Sequence, residues 1–183
     1  GQHNKAYLET DNTNPLGVYG ASKLQGEEKI QQSGCQHLIF RTSWVYGLRG
    51  HNFLLTMLRL AHEREQMKVV NDQLGSPVWC GHIAATTVKV LEHILLASNS
   101  SHAPSKNSGN LDVLPSMQGV YNLTANGHTS WYGFASKILQ LDPSKKSQKC
   151  NLLLPIPTSE YPTPAARPKW SVLDNSKTNF EPI

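Results

Sequence analysis

The chain has 183 residues, 38% of them hydrophobic and 16% charged, and its 17 Lys and Arg against 13 Asp and Glu give a formal charge of +4. This length can bury a real core in one domain or slightly more, and the composition is that of a soluble globular protein. No apolar run approaches the roughly 20 residues of a bilayer span, and the basic residues stand singly without interleaved aromatics, so neither a membrane segment nor a nucleic-acid face is expected.

Cys35, Cys80 and Cys150 are scattered with no C-x-x-C pairing. Neither a disulfide framework nor a zinc site is expected, and a reducing cytoplasm fits. His62-Glu63 lacks the second His of an H-E-x-x-H motif, so no metal ligands are assigned. The opening Gly1-Gln2-His3-Asn4-Lys5 has no signal or transit pattern and no initiator Met. It reads as a beginning inside a longer protein.

In chain order, Asn14-Pro15 signals a helix start, good helix formers run from Leu16 to Gln32, and Gly34 stands where a C-terminal cap is expected. The apolar run 37–41 predicts a strand buried on both faces, and the glycine-punctuated 42–51 a loop at its carboxyl end. A second helix follows over 53–63, with Phe53, Met57, Leu60 and Ala61 on one face. Residues 68–70 restart a strand before the turn-rich 71–77. Ala84, Val88, Leu91 and Leu95 recur at three- and four-residue steps and predict a helix over 82–96. Residues 97–118, rich in Ser, Asn and Pro, read as a variable surface loop. A strand over 120–123, a helix over 130–141, a strand over 152–156 and an irregular proline-rich end complete the series. Alternating strands and helices predict an α/β fold with a parallel sheet, whose ligands bind beyond the carboxyl ends of strands. The loops 42–51 and 71–77 are the candidate site.

Tyr19 and Lys23 form Y-x-x-x-K on the first helix. Four residues make about one turn, so phenol and ammonium share a face. A free tyrosine titrates near pH 10, in the range of about 10, and is a poor acid at neutrality. A fixed positive charge nearby stabilises the phenolate and fits the hydroxyl for proton transfer to a carbonyl oxygen. The alternative is structural: Lys23 pairs with Glu27 four residues on, for about 0.3–0.5 kcal/mol, and Tyr19 is a half-buried helix residue.

The stretch Pro15-Leu16-Gly17-Val18-Tyr19-Gly20-Ala21-Ser22-Lys23-Leu24-Gln25-Gly26-Glu27 closely resembles the P-x-x-x-Y-G-x-[ST]-K-x-x-G-E signature of extended short-chain dehydrogenase/reductases. Arg41-Thr42-Ser43-Trp44-Val45-Tyr46-Gly47 resembles their R-x-x-x-x-Y-G segment, in the form of the dTDP-4-dehydrorhamnose reductases. Asn71-Asp72-Gln73-Leu74-Gly75-Ser76-Pro77 is similar to the D-Q-x-G-x-P turn of that family. Gly119-Val120-Tyr121-Asn122-Leu123 and Thr163-Pro164-Ala165-Ala166-Arg167-Pro168 match later segments in the right order. The resemblance spans the chain apart from 97–118.

The resemblance implies an NADPH-dependent (or NADH-dependent) reduction of the C4 ketone of dTDP-4-dehydro-L-rhamnose to dTDP-L-rhamnose, in the cytoplasm. Tyr19 would donate the proton. Tyr19, Lys23 and Thr42 would contact the cofactor. Trp44, Gln73, Gly75 and Arg167 would bind the dTDP-sugar, Trp44 against the deoxysugar and the other three nearer the nucleotide. Bland alternatives remain: Trp44 as a core or interface residue, Arg167 as a brace for the tail. Some relatives are homodimers and some use magnesium; neither is indicated by these residues. The implied fold is a partial Rossmann-like parallel sheet with its N-terminal strands missing, plus a smaller C-terminal substrate-binding α/β region. Residues 1–80 would be the later part of the NAD(P)-binding domain, and 81–183 mainly the substrate-binding region. The family's opening glycine-rich turn and its Ser/Thr-bearing S-T-D-Y-V-F-like segment have no counterpart here, and the ending stops short of the family's last helix. The fragment alone is therefore expected to be inactive and to expose a sheet edge. Competing readings are a nucleotide-sugar epimerase or dehydratase, and a non-catalytic regulatory relative that serves methionine adenosyltransferase.

Overall fold

The computed structural model describes residues 5–100 and 117–178, with the side chains of 97–100 left aside. Its elements are α1 (Val18–Gln32), β1 (Leu38–Arg41), β2 (Val45–Tyr46), α2 (Phe53–Glu63), β3 (Gln66–Val70), β4 (Leu74–Gly75), β5 (Val78–Trp79), α3 (Cys80–Ser100), β6 (Gly119–Asn122), β7 (Thr129–Ser130), α4 (Trp131–Leu141) and β8 (Leu152–Ile156). Gly34 follows α1 at φ +72°, the left-handed conformation that glycine adopts without a Cβ penalty.

The strands form four two-stranded pairings. Three are parallel, as expected: β1 with β6, β2 with β5, and β3 with β8. The fourth adds a short antiparallel pair beside them. β4 lies inside the turn-rich segment and runs antiparallel to β7, Leu74 opposite Ser130 and Gly75 opposite Thr129. The expected loop 42–51 likewise contains a short strand, β2, because Val45 and Tyr46 find a partner in β5.

The core lies where α2 and α4 cover the β3–β8 pair. Met57, Ala61, Met67, Val69, Ala135, Ile138 and Leu139 are buried there, with Phe53, Trp131 and Phe134 packed against them. α2 begins because the Asn52 side chain accepts the Leu55 amide at 3.2 Å, satisfying one donor of the first turn. Ser130 does the same for α4, accepting from Gly133 N at 2.9 Å while its hydroxyl donates to Asn71 Oδ1 at 2.6 Å. One cap thereby fixes both the helix start and the loop after β3. Buried Asn122 closes the other side, its Nδ2 donating to the carbonyls of Tyr7 and Asp174.

α3 departs from its sequence reading at its end. It continues through Ser100, so residues 97–100 of the expected loop are helical, while 101–116 lie outside the described residues. The residues whose spacing marked the helix are not the ones it buries. Val90 and Ile94 are 1% and 2% exposed, whereas Val88, Leu91 and Leu95 are 52%, 50% and 58% exposed, and Ala84 is exposed with them. Both stripes have helical spacing, and only the tertiary contacts select between them.

Candidate functional site

Three of the candidate residues, Trp44, Gly75 and Gln73, come together at a pair of stacked indoles. Trp44 leaves the carboxyl end of β1 with φ +47°, the one non-glycine residue among those described with positive φ. A bulky side chain in that region is strained and persists only where its surroundings hold it. Trp131, the first residue of α4, lies ring on ring with Trp44, centroids 3.5 Å apart and planes 7° from parallel. Phe53 tilts against the other tryptophan of the pair, Trp131, at 4.6 Å. Gly75 makes room: a Cβ there would stand 2.5 Å from Trp44 Cε2 and 2.7 Å from its Nε1. Glycine is needed here for space rather than for an unusual backbone angle.

Gln73 is 6% exposed and sits behind this pair. Its Oε1 accepts from Trp131 Nε1 at 3.2 Å, and its Nε2 donates to Thr158 Oγ1 at 3.1 Å. Thr158 in turn donates its amide and hydroxyl to Asp72 Oδ1, at 2.8 and 2.6 Å. Trp131 and Thr158 were not legible as site residues. The one signal was Trp131 directly after a capping Ser, which marks a helix start and not a stacking partner.

Tyr19 and Lys23 lie on one face of α1, with Lys23 Nζ 5.5 Å from the centre of the Tyr19 ring. Tyr19 is 77% exposed. Among the described residues, neither its hydroxyl nor the ammonium has a hydrogen-bond partner. Glu27, the alternative partner of Lys23, is instead taken by Arg41 of β1, Nη2 to Oε2 at 2.7 Å with Nε reaching both carboxylate oxygens at 3.1 Å. Arg41 also donates to the Glu9 carbonyl at 3.3 Å. This joint fastens α1, which buries none of its own residues, to the strand that delivers Trp44. Thr42, next after β1, is exposed, and so is Arg167 in the proline-rich end.

An open cleft of about 1020 Å³ lies elsewhere, lined by Tyr46, Trp79, His82, His128, Asp174 and Asn175 among others. None of the candidate residues lines it; of its polar groups, Asp174 accepts from Ser176 N, and Asn175 bridges to Thr124. The three cysteines are free. Among the described residues, no group of three or more His, Cys, Asp and Glu could hold a metal ion, and no helix is long and apolar enough to cross a membrane.

Residues 1–181 match the family described as the RmlD substrate binding domain. The dTDP-4-dehydrorhamnose reductase of Burkholderia thailandensis is 44% identical over 178 residues, covering 96% of this chain and 55% of the relative. That of Escherichia coli K12 is 41% identical over 180 residues, covering 97% and 54%. The chain thus spans about half the length of the curated relatives it matches. Among solved structures, the Bacillus anthracis dTDP-4-dehydrorhamnose reductase in complex with NADP superposes with a TM-score of 0.79 at 33% identity, over 100% of this chain and 57% of that one. The Clostridium acetobutylicum reductase gives 0.77 at 32%, over 96% and 52%. The expected Rossmann-like α/β fold is therefore the fold of these neighbours. With the match running from residue 1 to residue 181, the chain belongs to the RmlD substrate-binding domain family.

Proposed function

We propose that the protein to which this chain belongs reduces the C4 ketone of dTDP-4-dehydro-L-rhamnose, with NADPH as the reductant, giving dTDP-L-rhamnose. The observation that carries the reading is the Tyr19–Lys23 pair, sharing one face of α1 with both polar groups free of other partners among the described residues. Relatives named for this reaction, one of them solved with NADP, support the choice of substrate and cofactor.

The free donors at Tyr19, Lys23 and Thr42 suit the hydroxyl-rich nicotinamide end of such a cofactor, and these three residues would hold it. When bound, NADPH supplies a hydride to the substrate carbon. The phenol of Tyr19 donates its proton to the C4 oxygen as negative charge develops there. Lys23 stabilises the resulting phenolate through its positive charge and donates hydrogen bonds to ribose hydroxyls. Trp44 offers an aromatic face and an indole N–H without an acceptor among the described residues, suited to the C–H surface and a hydroxyl of the deoxysugar. Arg167 supplies the cation for the diphosphate, by planar, charge-assisted hydrogen bonds. Gln73 and Gly75 shape the same wall from behind.

The test is NADPH oxidation by the full gene product with dTDP-4-dehydro-L-rhamnose, followed at 340 nm, an absorbance of the reduced cofactor at about that wavelength, with the product identified by mass. Tyr19→Phe is expected to lower kcat by about 10²–10⁴-fold, the usual worth of a positioned general acid. A wild-type protein that binds the cofactor and does not reduce the ketone would overturn the reading.

A further inference from the structure

We propose that Trp131 and Gln73 are positioning residues for sugar recognition, holding the Trp44 indole in a strained orientation that it would not keep alone. The inference rests on the reading of Trp44 as the sugar-facing residue.

Trp44 carries a positive φ, in a region that β-branched and bulky residues avoid. Something must compensate for that backbone strain: two contacts meet the indole and a third holds its backbone. Trp131 covers one face at 3.5 Å and near-parallel planes. The Gly75 notch admits its edge. The Trp44 carbonyl accepts from Val78 N at 3.3 Å, which pins the backbone on the far side.

Trp131 is itself restrained twice. Phe53 and the core of α2 and α4 fix its body. Gln73 fixes its rotation, because the indole N–H has one direction and Oε1 stands 3.2 Å away along it. Gln73 cannot turn its amide over without breaking the bond from its own Nε2 to Thr158. Thr158 is oriented in turn by the two bonds it donates to Asp72. The chain Asp72–Thr158–Gln73–Trp131 therefore ends on the face of Trp44. It assigns to Gln73 an action through the two tryptophans rather than a direct one, since both ends of its buried amide are already used.

A positioning role differs from a packing role in what it leaves untouched. Loss of Trp131 or Gln73 would release Trp44 and weaken contact with the sugar, while the nucleotide half of the ligand would bind as before. The test uses the full gene product and two probes by calorimetry, dTDP-L-rhamnose and dTDP alone. Trp131→Leu is expected to weaken dTDP-L-rhamnose by about tenfold or more and leave dTDP within about twofold, the scale on which a small misplacement acts. Trp131→Phe, which keeps an aromatic face, should recover most of the loss. Far-ultraviolet circular dichroism should show an exciton couplet from the stacked indoles that disappears in Trp131→Leu and in Trp44→Leu alike.

Gln73→Leu, similar in size, serves if Trp131→Leu fails to fold, and should show the same selective loss to a smaller degree. Equal weakening of both probes, or loss of the couplet with no change in either, would overturn the proposal while ketone reduction by the wild type stands. A wild type that binds dTDP-L-rhamnose no better than dTDP and reduces no ketone would remove the underlying reading, and this proposal with it.

Discussion

Glu27 of α1 and Arg41 of β1 are locked by three hydrogen bonds of 2.7–3.1 Å, with only 18% and 22% of their side chains exposed. A carboxylate and guanidinium in this fork-like geometry form one of the stronger polar contacts available to a protein. Because α1 buries no residue of its own, this joint is its main side-chain attachment to the strand among the described residues.

Replacing Glu27 by Gln should therefore lower stability by about 1.5–3 kcal/mol, the range for hydrogen bonds to charged groups. Urea unfolding would measure the loss. Amide hydrogen exchange should rise selectively over Val18–Gln32, since the loosened element is the helix that carries Tyr19 and Lys23.

Acid stability should depend on Asp142. The Gln148 side chain, 2.7 Å away, holds its carboxyl below the usual carboxylate range, helped by the Ser144 amide at 2.9 Å and by His62 Nε2 at 3.0 Å. Since the folded value lies below the unfolded one, the contribution is fully present above the ordinary pKa of about 3.9 and is lost as pH falls through the lower, folded value. Asp142→Asn should thus be less stable than wild type at pH 7, with the difference closing at strongly acid pH. Denaturant midpoints measured from pH 7 down to the acid limit would show that convergence or its absence.

Gly75→Ala should be poorly tolerated. Its Cβ would meet Trp44 and the Ser171 hydroxyl at 2.5–2.7 Å, and neither is the loose end of a flexible chain. Overpacking of this kind costs about 1–3 kcal/mol. Thermal unfolding gives the cost, and a fall in Trp44–Trp131 exciton intensity would show where the strain is released.

The two apolar stripes of α3 should respond in opposite ways. Ile94→Ala removes a side chain only 2% exposed and should cost about 2–4 kcal/mol. Leu91→Gln changes a half-exposed position and should stay within about 0.5 kcal/mol of wild type. Chemical unfolding of the pair of variants decides which stripe faces the core.

Those stripes also show where the sequence stops being informative. α2 and β8 could be bounded to the residue, because an apolar stripe of helical spacing marks the one and a short apolar run defines the other. α3 offers two faces of helical spacing, and the packed one depends on contacts that no local window contains. The site divides in the same way. Tyr19 and Lys23 share a helix face by their spacing, whereas Trp44, Gln73 and Gly75 are singled out only by the family resemblance of their segments. Trp131 and Thr158 act through long-range contacts: a stack across two elements and a hydrogen bond between two turns. Neither leaves a local pattern. The antiparallel β4–β7 pair was hidden for the same reason, two residues being too few to carry an alternation.

The parallel registers impose an order on assembly. Arg41 pairs with Asn122, and Val70 with Ile156, so β1 and β3 emerge from the ribosome long before their partners. Their amides must wait, hydrated, β1 while α2 and α3 are made and β3 while α3 and α4 are made. Joining such distant segments is an entropically costly closure that slows folding relative to a chain of local hairpins. During that interval the apolar strands β1 and β3 are the segments most open to wrong partners, and growth at low temperature or with chaperones would raise the soluble yield by shielding them until residue 156 has been added.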